Sequence, residues 1–173
     1  LGWRVRSCDI NPNAVMATKT NAKNNQLDSR VIVEQNGIGD KLIFGSKINL
    51  IVWNLPYLNP LKDDEDRLEF IEDAAYIDID NGGWSEKLIG ELKKSNISDE
   101  CVILLLFRFR PISPSTPLSW KLQGWASRRI NYLIIGDEKL EVHAFWKPGF
   151  NQQPIILDEC ESTMEEAKLL STK

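Results

Sequence analysis

Apolar residues along this chain gather in short runs that alternate with stretches of helical periodicity. Trp3–Cys8 reads as a strand ending at Asp9. Pro12 suits the first turn of a following helix, with Asn11 as its cap and Val15 and Ala22 on its inner side. That helix is expected to run to about Asn25, and Arg30–Glu34 is expected to form the next strand, ahead of a loop holding Gly37 and Gly39. Ile48–Trp53 is a continuous apolar run of the sort found in a strand buried on both faces. Trp84–Lys94 places Leu88, Ile89 and Leu92 on one helical face, and Cys101–Arg108 is a second buried strand.

An acidic, loop-like stretch, Leu61–Asp80, lies between these segments, with room for a short helical turn near Arg67–Asp73. Pro111, Pro114 and Pro117 mark a loop, and Leu118–Gln123 fits one or two helical turns. Ala126–Ile135 and Lys139–Trp146 flank the turn Gly136-Asp137-Glu138 and predict a closing antiparallel hairpin. Strands alternating with helices favour an α/β fold with a mostly parallel sheet covered on both faces. Residues 1–149 are read as one domain and 150–173 as a linker with a terminal strand and helix. Ser162-Thr163-Met164-Glu165 has capping-box spacing there.

Composition narrows the function. The apolar runs are too short to span a bilayer, and no basic-plus-apolar leader precedes the first strand, although the chain begins with Leu1. Cys8, Cys101 and Cys160 are widely spaced, which suggests neither a disulfide framework nor a metal site and favours a cytoplasmic location. A net charge of −4 argues against broad phosphate-backbone binding and makes a protein substrate the easier fit. A local patch still suffices to hold a structured RNA.

Two positions carry candidate chemistry. Asp9 closes a strand just ahead of a helix, where a carboxylate either caps the turn or accepts both hydroxyls of a ribose. Asn54-Leu55-Pro56-Tyr57 follows a buried strand. Methyl transfer to a planar nitrogen needs the lone pair aimed at a sulfonium methyl and little acid–base machinery. Asn54 can accept one N–H and the Leu55 carbonyl another, with Pro56 holding the loop and Tyr57 stacking on the flat group. The plainer alternative is an ordinary strand-to-loop turn. Arg108 and Arg110 end a strand, where they serve substrate contact or a salt bridge, while the isolated His143 suits a structural role.

The order Asp9-Ile10-Asn11-Pro12-Asn13-Ala14-Val15, then Ile48–Trp53 into Asn54-Leu55-Pro56-Tyr57-Leu58, resembles class I methyltransferases of the release-factor glutamine methyltransferase family. Gly82-Gly83 before its helix and the closing hairpin resemble the same family. The resemblance implies a Rossmann-like methyltransferase sheet, S-adenosylmethionine as cofactor and a release-factor glutamine as target. It further implies that Asp9 binds the ribose, that Ile10 packs on the adenine, that Asn54, Pro56 and Tyr57 frame the amide, and that Asn54 also meets the cofactor. Asn36 and Gly37 stand nearest the place where the family contacts the adenine amino group, with Asp40 several residues later.

Position 55 departs from the family's usual Asn-Pro-Pro-Tyr, and Asn-Leu-Pro-Tyr is similar to the form in ribosomal-RNA adenine dimethyltransferases. The family's first strand and Gly-rich loop have no counterpart here, so the sequence is expected to be a fragment or to meet its missing half in a separate chain. A non-catalytic docking module is the contrasting expectation. Leu157–Ala167 weakly resembles the opening strand and helix of biotin protein ligases, which would make the full product a methyltransferase–ligase fusion.

Overall fold

The computed structural model describes residues 2–39, 44, 47–59, 75–110, 112–149, 162 and 165. In chain order the elements are β1 (Val5–Asp9), α1 (Pro12–Asn24), β2 (Val31–Gln35), β3 (Leu50–Asn54), α2 (Gly83–Lys94), β4 (Val102–Arg110), α3 (Pro117–Leu122), β5 (Ala126–Ile135) and β6 (Glu138–Trp146). The helix starts follow local chemistry. Asn11 Oδ1 accepts a hydrogen bond from Asn13 N, and Pro12 fills the first helical position of α1, where a backbone donor would lack a partner. Val15 and Ala22 are the buried residues of α1, as their spacing predicts.

The strands form two sheets. β1 and β2 pair in parallel, with Asp9 opposite Gln35. The other sheet runs β3-β4-β6-β5, with β3 parallel to β4 and the remaining pairs antiparallel. Neither β1 nor β3 has a second neighbour among the described strands. The predicted hairpin is present, its register shifting between Arg129 and Asn131.

The main core lies on one face of the larger sheet. Leu88, Ile89 and Leu92 of α2 pack with Ile103, Leu105 and Phe107 of β4, Phe145 of β6, and Trp120 and Trp125 from α3 and the turn after it. Trp120 stacks on Phe145 at 4.5 Å and meets Trp125 edge-on at 5.1 Å. Burying a side chain of this size stabilises the fold by roughly 1.5–3 kcal/mol.

The expectation that Ile48–Trp53 is a strand buried on both faces is corrected. Exposure alternates along β3, with Val52 67% exposed and Leu50 also exposed, because the described residues cover one face of this strand and not the other. β4 has the same asymmetry in weaker form. Ile103, Leu105 and Phe107 are buried, whereas Val102, Leu104 and Leu106 are half-buried.

Several expectations fall outside the described residues: most of the acidic stretch 61–80 with its short helical turn, Pro111, Asp40, and nearly all of the tail. Within the tail, Glu165 N donates to Ser162 Oγ at 3.4 Å, one of the two bonds of a capping box.

Candidate active site

The parallel register sets Asn54, the last residue of β3, opposite Leu106 of β4, so Arg108 lies two residues further on at the same carboxyl edge. The segment after Asn54 is anchored rather than free. The Leu55 side chain is fully buried in the core cluster, while Asn54 is exposed and Tyr57 half-buried. Tyr57 N and Leu58 N both donate to the Tyr76 carbonyl, at 3.1 and 2.8 Å, and Asp78 N donates to the Leu58 carbonyl at 2.8 Å. A short parallel bridge between Leu58 and Ile77 results. The loop thus leans on the strand-like segment that enters Asp78.

Asp78 is a carboxylate that the sequence reading did not single out. It is 1% exposed, and its Oδ1 accepts from Ile79 N, Trp84 N and Ser115 Oγ, while Oδ2 accepts from Ser115 N at 2.7 Å. These bonds satisfy backbone donors at the start of α2 and place negative charge at its positive end. Ser115 Oγ also accepts from Ser85 N, and Ser85 Oγ accepts from the Trp120 indole N–H at 2.6 Å. One buried polar network therefore joins the segment under Tyr57, the start of α2, the loop before α3, and α3 itself. The sequence signal was present, an Asp a few residues ahead of a glycine pair, but Asp78 sits among acidic neighbours that read as a solvated loop.

This network accounts for the second residue of the pair Gly82-Gly83. Both have positive φ, +90° and +73°. A Cβ on Gly83 would lie 2.2 Å from Ser115 Oγ and 2.6 Å from both Asp78 Oδ1 and Ser115 N. Only a glycine lets Asp78 and Ser115 close over the start of α2.

The residues expected to bind a cofactor, Asn54 apart, gather at the carboxyl edge of the smaller sheet. Asp9 Oδ1 accepts from Asn11 N at 2.8 Å, the Asp9 carbonyl accepts from Asn36 N at 3.0 Å, and Gln35 Nε2 donates to the Ile10 carbonyl. Asp9, Ile10, Asn36 and Gly37 are neighbours there, on a different sheet from Asn54. Asp9 is exposed and takes the capping bond to Asn11 N through one oxygen, which is compatible with its other oxygen meeting a ligand hydroxyl.

Beyond Asn54 the larger sheet carries a charged cluster. Glu141 is 4% exposed and accepts from Lys139 Nζ, from Arg129 Nη1 at 3.1 Å, and shares a hydrogen bond with His143 Nε2 at 2.8 Å. Burial alone would push its carboxyl up; the hydrogen bonds from Lys139, His143 and Arg129 and the Lys139 charge prevail and lower it to about 2. His143 is buried between rings, parallel to Phe109 and Phe145, with its Nδ1 unpartnered among the described residues. Arg108 is buried as well, with its guanidinium 5.7 Å from the Tyr57 ring.

Comparison with known proteins bears on the fold. No protein-family model matches the chain. No curated protein matches it. Among solved structures, the hMettl16 catalytic domain in complex with MAT2A 3'UTR hairpin 1 aligns with 91% of this chain and 60% of its own, at 12% identity and a TM-score of 0.53. A putative rRNA-methylase from Clostridium thermocellum aligns with 83% of this chain and 75% of its own, at 17% identity and a TM-score of 0.50. The putative methyltransferase yhhF from Escherichia coli aligns with 84% of this chain and 64% of its own, at 10% identity and a TM-score of 0.47. The chain thus spans about three-fifths to three-quarters of the length of these proteins. The fold is the α/β, Rossmann-like fold of the methyltransferases, with parallel and antiparallel strands in its sheets.

Proposed function

We propose that this chain is the larger part of an S-adenosylmethionine-dependent N-methyltransferase domain whose target is a planar nitrogen. The observation that carries the reading is the segment Asn54-Leu55-Pro56-Tyr57 at the carboxyl end of β3, anchored through Leu55 and the Tyr76 carbonyl, with Asn54 exposed. Ligands of open α/β sheets bind beyond this edge. Asp9, Ile10, Asn36 and Gly37 would hold the ribose and adenine of the cofactor, which supplies an electrophilic methyl group when bound. Asn54 Oδ1 and the Leu55 carbonyl would each accept one N–H of the target, which turns its lone pair toward that methyl. Tyr57 stacks on the planar group and fixes its tilt. The contribution is positioning, worth several orders of magnitude in effective concentration.

The resemblance of the loop to release-factor glutamine methyltransferases favours a glutamine side-chain amide as target. A second reading, the exocyclic nitrogen of an adenine in RNA, is favoured by Leu55 in the tetrapeptide and by the Arg108 guanidinium beside Tyr57. Two structures of like fold also carry RNA in their names, an rRNA-methylase and a 3'UTR complex.

Isothermal titration with S-adenosylmethionine, followed by a methyl-transfer assay on release factor and on RNA, tests the reading. Asn54→Ala is expected to lower transfer by about 100-fold or more and to leave cofactor affinity within a few-fold. Full transfer by that variant, or no cofactor binding by the complete protein, would overturn the assignment and leave a docking module.

A further inference from the structure

The charge on the larger sheet is unevenly compensated. Arg129 and Lys139 share the buried carboxylate of Glu141, which is held ionised between them. Arg108 has no such partner among the described residues. Its side chain is only 6% exposed, and its Nε–H donates to nothing among the described residues. Its one ion pair among the described residues, Nη1 to Glu138 Oε1, is 3.4 Å long, and the Glu138 side chain is 42% exposed. Well-formed guanidinium–carboxylate bonds are about 2.7–2.9 Å long and often paired. A buried cation left with one long bond to a half-exposed side chain is poorly satisfied. Glu138 also stands beside the hairpin turn, on a side chain that solvent can reclaim.

The surroundings indicate what would satisfy Arg108 better. Tyr57, the ring expected to stack on the target, lies beside its guanidinium. A ring for a base, with a fork of N–H donors a few ångströms away for the adjoining phosphate, is the recurring unit of single-stranded nucleic-acid recognition.

We infer that Arg108 and Tyr57 form a nucleotide subsite, in which the phosphate next to the base stacked on Tyr57 displaces Glu138 from Arg108. The inference rests on the N-methyl-transfer reading and selects the nucleotide target within it. Glu138 is then a placeholder, holding the guanidinium in position until the substrate arrives.

The test is fluorescence anisotropy of a labelled, adenine-containing single-stranded RNA oligonucleotide on the full chain, without cofactor. Glu138→Gln removes the competing carboxylate and is expected to tighten binding several-fold. Arg108→Gln is expected to weaken it by roughly tenfold and to flatten its dependence on salt. Thermal melts of both variants accompany the titrations. If the pair is only a structural salt bridge, Glu138→Gln lowers the melting temperature and leaves RNA affinity unchanged, which overturns the inference. Affinity that responds to these variants for a glutamine-containing release-factor peptide, and not for RNA, overturns it as well. The two readings fail separately. Tightening by Glu138→Gln without methyl transfer to any target sinks the enzyme and keeps the subsite, whereas transfer to RNA that is indifferent to Arg108→Gln does the reverse.

Discussion

Gly83 stands where a side chain would strike both Asp78 and Ser115, on a backbone with φ of +73° that side chains disfavour. Gly83→Ala is therefore expected to cost roughly 2 kcal/mol, from backbone strain and from opening the Asp78 network. Urea unfolding measures it, and a loss under about 0.5 kcal/mol, the size of an ordinary surface change, would show that the loop relaxes freely. Removing the carboxylate should be worse. Asp78→Ala leaves Trp84 N and Ser115 N without their acceptor, at about 1–3 kcal/mol for each buried group left unpaired. Because Asp78 also carries the segment that supports Tyr57, methyl transfer is expected to fall with stability. Glu141 adds a dependence on pH. Its folded-state value, about 2, lies below the ordinary 4.5, so the ionised, hydrogen-bonded carboxylate stabilises the fold at pH above 4.5. That contribution is lost as pH falls from about 4.5 towards 2. Urea midpoints across this window should decline in the parent and decline less in Glu141→Gln, which has no carboxyl to protonate there. Equal declines would assign the acid sensitivity to other groups.

At the scale of elements, sequence periodicity located each described strand and helix to within about two residues, because caps and breakers act locally. Asn11 and Pro12 start α1, and the turn at Gly136 sets the hairpin. Burial was less legible. An unbroken apolar run such as Ile48–Trp53 says that both faces of a strand tolerate cover, not that both receive it. In the structure, Val52 projects from a face that the described residues leave open. The two faces should answer differently to mutation. Val52→Thr is expected to change stability by less than about 0.5 kcal/mol, whereas Leu105→Ala, at a fully buried position of the neighbouring strand, should cost 2–5 kcal/mol, roughly. A Val52→Thr penalty near 2 kcal/mol would mean that something covers this face in solution. The Asp78 network was illegible for a different reason. Its members, Asp78, Ser85, Ser115 and Trp120, are spread over more than forty residues of sequence, and only the tertiary fold brings them together.

Over the whole molecule, the candidate site is divided between two sheets. Asp9, Ile10, Asn36 and Gly37 stand at the carboxyl edge of β1 and β2, and Asn54-Leu55-Pro56-Tyr57 at that of β3. The sequence made each half readable, since an acid at a strand end and a tetrapeptide after a strand are local signals. It could not show that the described strands of the two halves share no hydrogen-bonded ladder. A cofactor held by Asp9 and Ile10 at one end, with its reactive group at Asn54, would itself tie the sheets together. Such a ligand stabilises the native state through binding, by about 2.7 kcal/mol at a free concentration 100 times its Kd. The increment should appear in both halves. Amide hydrogen exchange with saturating S-adenosylmethionine is expected to slow in β1, α1 and β2 and also in the segment after β3, around Leu55, Tyr57 and Leu58. Asp9→Ala should abolish both effects together, although Asp9 lies in only one of the sheets. Protection confined to the smaller sheet would mean that the cofactor meets Asp9 without reaching the Asn54 loop, and that the two halves do not form one active site.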